Sequence, residues 1–336
     1  MITRTDLEKR EYEILSPYAA KVAETKGRRV PEEKCDIRTD YQRDKDRIIH
    51  SKSFRRLMHK TQVFLAPEGD HFRTRLTHTI EVSQIARTIA RALGLNEDLT
   101  EAIAMGHDLG HTPFGHNGEK VLDGLHEGGF RHNVQSLRVV DVLESNGVRR
   151  GMNLTAEVRD GILNHTGKTM PFTLEGQIVK ISDRVAYINH DIDDALRSGV
   201  IVEEDLPREC IQVLGKTHRG RINTLVNDLI ENSFERDRIA MSESCLKHMN
   251  LLRDFMFENV YHNKRVKKDE ELEKVKHILE SLYRYFLNNP GQLPPDLQGM
   301  IGEFGLQEMV KDHIAGMTDR YAVNLYTELF VPKGWK

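Results

Sequence analysis

The chain has 336 residues, 38% of them hydrophobic, which is enough for a sizeable core and sets a length prior of about two domains. Its net charge of −3, from 49 Lys+Arg against 52 Asp+Glu, argues against wholesale nucleic-acid binding. There is no apolar run of about 18 residues for a membrane span, and Met1 to Arg10 lacks the apolar stretch of a signal peptide. Cys35, Cys210 and Cys245 are too few and too scattered for a disulfide framework or a zinc ribbon, so a cytoplasmic location is expected.

Hydrophobic periodicity predicts helices almost throughout, and strand-like alternation is nearly absent. The first helix is predicted over 6–26, ended by Gly27, and an irregular arm follows through Pro31 to about Asp40. Residues 41–60 read as helical. A turn at Pro67-Glu68-Gly69-Asp70 separates them from an amphipathic helix running from near Arg73 to about Leu93. Gly94 ends that helix, and Asn96 or Asp98 caps the next. Further helices are predicted over Glu119 to Leu125, Asn133 to Ser145, Thr155 to Leu163 and Glu175 to Leu196, with a break at Gly128-Gly129. Beyond Glu203 the pattern gives helices near 204–217, 219–234, 243–262 and 269–288. Two more are predicted near 296–303 and 306–329, after the Pro290 to Pro295 loop. The expectation is an all-α fold with an N-terminal arm over 1–49, a core over 50–200 and a C-terminal helical region over 201–336.

Between His107 and Glu119 lie three histidines (His107, His111, His116) and two carboxylates, Asp108 and Glu119. The apolar lead-in Ala102-Ile103-Ala104-Met105 predicts that this run ends a buried helix, stopped by Pro113. On such a helix His107 and His111, at i and i+4, would share a face bordered by Asp108. Imidazole beside carboxylate suits a divalent first-row transition metal. The simpler alternative is a helix C-terminus carrying charged histidines, which the helix dipole favours. From Lys26 to Arg75 there are 14 Lys+Arg against 8 Asp+Glu, a net of +6. That run is either a solvated face or an attractor for a polyanion, triphosphate or nucleic-acid backbone.

The order His78, His107, Asp108 and Asp183 resembles the HD superfamily of metal-dependent phosphohydrolases. Phe54-Arg55-Arg56-Leu57, Lys60-Thr61-Gln62-Val63, Arg73 to His78, Gly106 to Glu119 and Ile314 to Arg320 are similar, in order, to words of the bacterial deoxynucleoside triphosphate triphosphohydrolases (dGTPase-like proteins). The likeness runs from about Arg28 to the C-terminus. It implies an HD-domain helical fold with additional C-terminal helices, and a divalent ion on His78, His107, Asp108 and Asp183. Mn2+ or Mg2+ is the first expectation, with Co2+, Ni2+ or Zn2+ as alternatives.

The resemblance also implies roles around that ion. Tyr187 would stack under the sugar and exclude a 2′-hydroxyl, and Asp191 with Gln62 opposite would bind the 3′-hydroxyl. Arg75 and Arg184 would bind phosphates. His116 and Glu119 would be the general acid–base pair, with His111 and His132 as further active-site histidines. The implied reaction is hydrolysis of a dNTP at the α-phosphorus, giving deoxynucleoside and inorganic tripolyphosphate. Homo-oligomers, tetramer or hexamer, are implied as well; separately from the resemblance, the basic arm from Lys26 to Arg56 offers a contact for single-stranded DNA. Two alternatives stay open: another HD phosphohydrolase (nucleoside monophosphatase or guanosine polyphosphate hydrolase), and a non-catalytic nucleotide or single-strand-binding regulator.

Three features stand apart. Gly161 to Thr169 mimics a phosphate-binding P-loop, but five residues separate its glycines where that motif has four, and it follows a helix. Its His165 reads either as a pocket residue or as a hydrogen-bonded core histidine. Lastly, Asp312 to Tyr321 matches the family words but has no evident catalytic use, its Ala315-Gly316 pair pointing to close helix packing within or between protomers.

Overall fold

The computed structural model describes residues 1–62, 73–145, 147–261 and 269–332. The predicted Pro67–Asp70 turn lies outside these residues. Among them there is no strand, only isolated bridges such as Arg28 with Thr155 and Thr61 with Thr74, so the all-α expectation holds.

In chain order the helices are α1 (Arg4–Ile14), α2 (Asp40–Ile49), α3 (Lys52–Arg56), α4 (Arg75–Ala92), α5 (Glu97–Gly106) and α6 (Gly115–Leu125). Next come α7 (His132–Arg138), α8 (Ala156–Asn164), α9 (Leu174–Arg197), α10 (Arg208–Leu214), α11 (His218–Ser233) and α12 (Glu243–Met256). The C-terminal set is α13 (Asp269–Asn288), α14 (Pro295–Gln298), α15 (Ile301–Phe304), α16 (Leu306–Ala315) and α17 (Asp319–Phe330).

Several predicted helices are split, for local reasons. The helix expected over 6–26 ends at Ile14, because Pro17 pushes Ser16 out of the helical region and Gly94 C=O accepts from Ser16 N–H (2.7 Å). The stretch 41–60 breaks at Ser51, whose side chain accepts from Phe54 N–H and caps α3. Residues 306–329 divide at Gly316, and the Thr318 side chain caps α17 by accepting from Tyr321 N–H. Asn96 caps α5 as expected.

Three apolar clusters organise these helices. The first gathers Ile48 of α2, Val82 and Ile89 of α4, Leu99 and Ile103 of α5, Ile162 of α8 and Ile178 of α9. The second packs Leu122 of α6 against Leu279, Leu282 and Phe286 of α13 and Met309 and Ile314 of α16. The third joins Ile188 and Ile192 of α9 to Leu214, Leu225, Met249 and Leu252. Each such fully buried side chain contributes on the order of 2 kcal/mol of transfer free energy. Helix α9 therefore passes from the first cluster to the third, and its stretch from Asp183 to Asp191 spans the change.

Gly161, the first glycine of the P-loop look-alike, lies inside α8, where a Cβ would come within 2.5 Å of Ile103 Cδ1. It is a close-packing glycine between α8 and α5, not part of a phosphate cradle.

Candidate active site

The histidine-rich run is not a helix face. Helix α5 stops at Gly106, and two tight turns carry the chain on, Leu109 N–H to Gly106 C=O (3.5 Å) and His111 N–H to Asp108 C=O (3.2 Å). Packing against α7 explains this. A Cβ on Gly110 would lie 2.1 Å from the Ser136 amide nitrogen, so only glycine lets the loop sit flush on α7. The Ser136 hydroxyl accepts from Gly110 N–H (2.9 Å) and donates to His107 C=O (2.7 Å), pinning the loop. His107 and His111 thus converge through turns and not through an i, i+4 repeat.

Three separate elements deliver donors to one point. The Thr74 capping box starts α4, which buries Arg75 and His78 in its first turn. His78 Nε2 stands 3.0 Å from Asp183 Oδ1 on α9. His107 Nε2 is 3.8 Å from the same oxygen and 3.4 Å from Asp108 Oδ1. Donor atoms of His78, His107 and Asp108 all lie within 4.8 Å of one another. Neighbouring donors around an ion with bonds of about 2.1 Å stand about 3 Å apart, so a single divalent cation can draw this set together with little movement.

The tautomers fit too. His107 Nδ1–H donates to Ala104 C=O (2.6 Å), which leaves Nε2 as a bare lone pair. That nitrogen is buried without a hydrogen-bond partner, an arrangement that folded proteins tolerate where a ligand completes it. Two imidazoles and two carboxylates are a suitable set for a divalent first-row ion.

The charges are arranged for the same end. Burial opposes ionisation of Asp108, but His107, His111 and Arg75 beside it hold it well below the usual carboxylate range. Burial likewise opposes ionisation of Asp183, and the bond from His78 with the nearby His107 brings it below that range. Arg75 Nη1 donates to Asp108 Oδ2 (2.9 Å), while Arg75 Nε and Nη2 are buried without a partner.

Beside this cluster is a cavity of about 360 Å³ lined by Gln62, Arg75, His78, Asp108 and Asp183, with Tyr187 and Asp191 further along α9. Burial pushes the Asp191 carboxyl up to about 7, even though the Tyr261 hydroxyl donates to it. Tyr187 is pushed up to about 12 by burial and the Asp183 charge. His111, His116 and His132 line the same cavity. His111 and His132 stack at 4.0 Å, and Glu119 accepts from His132 Nδ1–H (3.0 Å) and faces His116 Nδ1 (3.4 Å). Burial opposes the Glu119 charge, yet bonds from His116 and His132 keep its carboxyl far below the usual range. The His116 side chain is 73% exposed, at the mouth of the cavity.

The comparisons with known proteins agree with this geometry. Residues 75–188 match the HD domain family, and residues 239–328 match the phosphohydrolase-associated domain. The chain is 58% identical over 335 residues to a deoxyguanosinetriphosphate triphosphohydrolase-like protein of Caldanaerobacter subterraneus subsp. tengcongensis, covering 100% of this chain and 98% of the relative. A protein of the same description from Clostridium tetani is 47% identical, covering 99% and 97%. Another, from Desulfatibacillum aliphaticivorans, is 48% identical and covers 99% of both chains. The chain belongs to the deoxyguanosinetriphosphate triphosphohydrolase-like family. It is an HD-domain phosphohydrolase, and no helix among the described residues is long and apolar enough to cross a membrane.

Within this dGTPase-like chain, eleven of the thirteen residues singled out from sequence either line the cavity or belong to the ion cluster at its wall: His78, His107, Asp108, Asp183, Gln62, Arg75, Tyr187, Asp191, His111, His116 and His132. Glu119 stands behind His132 and His116. Arg184 is partly buried and is not among the lining residues.

Other lining residues were not foreseen: Phe114, Asn117, Thr166, Phe257 and Tyr261. Tyr261 ends a wide turn after α12 that read only as helix, and nothing in its neighbourhood marks it as a partner of Asp191 seventy residues away.

The Ile314–Arg320 word acquires a role as a buttress. Phe114 adopts a left-handed backbone (φ 62°), unusual for a bulky residue, and its N–H donates to Asp319 Oδ1 (2.9 Å). The other Asp319 oxygen accepts from Thr61 N–H (3.0 Å) and from the Thr61 hydroxyl, one residue before Gln62. Buried Lys60 donates to the carbonyls of His111 and Ala315, tying the histidine loop to the end of α16. The Ala315-Gly316 packing therefore occurs within the protomer, against this lysine and the second cluster.

Proposed function

We propose that the protein hydrolyses deoxynucleoside triphosphates at the α-phosphorus, releasing the deoxynucleoside and intact tripolyphosphate. The observation that carries this reading is the shared wall. One face of α9 presents Asp183 to the ion cluster and, one and two turns on, Tyr187 and Asp191 to the same cavity, with Gln62 also lining it. An ion site for phosphate next to a seat for a sugar is what a nucleotide ester requires.

His78, His107, Asp108 and Asp183 would hold Mn2+ or Mg2+, with Co2+, Ni2+ or Zn2+ as alternatives. When bound, the ion supplies Lewis acidity toward a phosphoryl oxygen and toward water. Arg75 keeps one guanidinium edge on Asp108 and offers its unpartnered Nε and Nη2 to phosphate oxygens. Arg184 approaches the distal phosphates from the outer edge. Tyr187 lies against C2′, where a ring leaves no room for a ribose hydroxyl. Asp191 and the unpartnered buried Gln62 Oε1 receive the 3′-hydroxyl. His116, at the mouth and oriented by Glu119, gives its proton to the leaving O5′, and His132 with His111 backs it from inside.

The test is a panel of four dNTPs with Mn2+, each alone and in mixtures, with products separated chromatographically. Tripolyphosphate and deoxynucleoside are expected. Release of orthophosphate or pyrophosphate would instead point to a monophosphatase or a guanosine polyphosphate hydrolase. No turnover, combined with a salt-sensitive shift of single-stranded DNA that survives alanine at His107 and Asp108, would favour the regulator.

A further inference from the structure

Arg73 opens the Arg73 to His78 word, and the reaction proposed above gives it no role. It stands just before α4, the helix of His78, and its side chain, 16% exposed, turns across to α9. One guanidinium there meets three carboxylates. Nε donates to both oxygens of Glu81 on α4 (3.3 and 3.2 Å). Nη1 donates to Asp193 Oδ2 (3.2 Å) and Asp194 Oδ1 (2.9 Å) on α9. Glu81 lies one turn beyond His78, and buried Asp194 lies one turn beyond Asp191. The clamp therefore joins the ion end of α4 to the sugar end of α9.

A bound nucleotide would have to cross between these two helices. Arg75 and His78 belong to α4, whereas Tyr187 and Asp191 belong to α9. Apolar packing of Val82 and Ile89 against Ile178 holds the helices together but is non-directional. A guanidinium fork, by contrast, fixes an orientation. Nothing on α4 fixes the His78 ring either. Its Nδ1 is buried without a hydrogen-bond partner among the described residues, unlike His107 Nδ1–H, which is held by Ala104 C=O. The His78 ring packs edge-on against His190 of α9 (centroids 5.9 Å apart, planes at 88°). His190 Nδ1 in turn stands 3.2 Å from Glu81 Oε2. Glu81 is thus shared by Arg73 and His190, and the place of the His78 ring follows the register of α4 along α9.

We propose that Arg73 is a positioning residue that sets the register between the phosphate-binding end of α4 and the sugar-binding end of α9, and so enforces the requirement for a 3′-hydroxyl. The proposal rests on the substrate reading above and deepens it, because it makes sugar selection depend on a residue outside the sugar seat. Three of the four ion ligands, His107, Asp108 and Asp183, do not ride on α4. Loss of the clamp therefore disturbs sugar alignment more than ion binding. Lysine is a poor substitute, since a single ammonium cannot face three carboxylates as a planar fork does.

The experiment measures kcat and KM with Mn2+ for a dNTP and for the matching 2′,3′-dideoxynucleoside triphosphate, which lacks the group that Asp191 would bind. The parent protein should prefer the dNTP. Arg73→Ala should lower kcat/KM for the dNTP by about 30- to 100-fold, mostly through kcat, and for the dideoxy substrate by less than about threefold. The preference then shrinks by about tenfold or more. Arg73→Lys should fall between the two, and added guanidinium ion should restore part of the preference to Arg73→Ala alone. Mn2+ affinity, read by titration calorimetry, should stay within about a few-fold of the parent. If Arg73→Ala does not fold, Asp194→Asn loosens the same clamp from α9 without stranding a buried charge, and should narrow the preference likewise. An equal loss on both substrates, no loss on either, or a loss of Mn2+ binding that accounts for both would overturn the proposal and leave the reaction standing. A parent protein that turns over no dNTP, or that ignores the 3′-hydroxyl, would instead sink the substrate reading and this proposal with it.

Discussion

Two stretches of this chain meet at one loop and contribute to it in opposite ways. His107 to His116 supplies side-chain chemistry, whereas Ala315 to Asp319, some two hundred residues later, supplies only support. The first was readable because each residue type needed there is chemically distinctive: imidazoles and carboxylates in a tight run. The second reads in sequence only as a family-like word without a role, because a carboxylate accepting from Phe114 N–H and Thr61 N–H looks there like any helix N-terminal aspartate. The lesson is that ion ligands announce themselves by type, and their scaffolding by nothing local.

That contrast can be broken from the chemical side first. His107→Ala and Asp183→Asn each remove a proposed ligand, and should lower the proposed dNTP turnover by about a thousandfold or more, since an ion's share of transition-state stabilisation is several kcal/mol. Mn2+ titration calorimetry on the same variants should show the affinity lost. Turnover within tenfold of the parent would contradict the ligand assignment.

The support side predicts a smaller and different loss. Asp319→Ala leaves every ion ligand in place but releases Phe114 and Thr61. A fall of about 10- to 100-fold in kcat/KM is expected from misplacement of the loop, with destabilisation of roughly 1–3 kcal/mol from buried donors left unpaired. Mn2+ affinity should change by less than a few-fold. If affinity fell as far as in His107→Ala, the division between chemistry and support would not hold.

The smallest effect concerns pH. Asp191 is held up to about 7 by burial, against 3.8 when exposed. Between these values the unfolded chain gives up this proton while the folded chain keeps it, so the group makes stability fall as pH rises from about 4 to 7. Asp191→Asn removes that dependence. In metal-free protein the variant should match the parent near pH 4 and exceed it by roughly 2–4 kcal/mol near pH 7. A difference that stays flat across that range would mean that Asp191 is ionised in the fold.

The helices themselves were largely legible, since apolar periodicity and caps such as Asn96 are local signals. Where the reading failed, a local cue was outweighed by a contact distant in sequence. Ser16 turns away to bond Gly94, and Gly110 is drawn flush onto α7, which ends α5 before the histidines. Tyr261 escaped for the same reason, an unremarkable helix-end residue until the fold brings it to Asp191.

The most direct measurement is anomalous scattering from crystals soaked in Mn2+, recorded on both sides of the manganese absorption edge. A peak is expected within bonding distance of His78 Nε2, His107 Nε2 and one oxygen each of Asp108 and Asp183. Manganese bound only elsewhere, with those four side chains left around an empty centre, would contradict it.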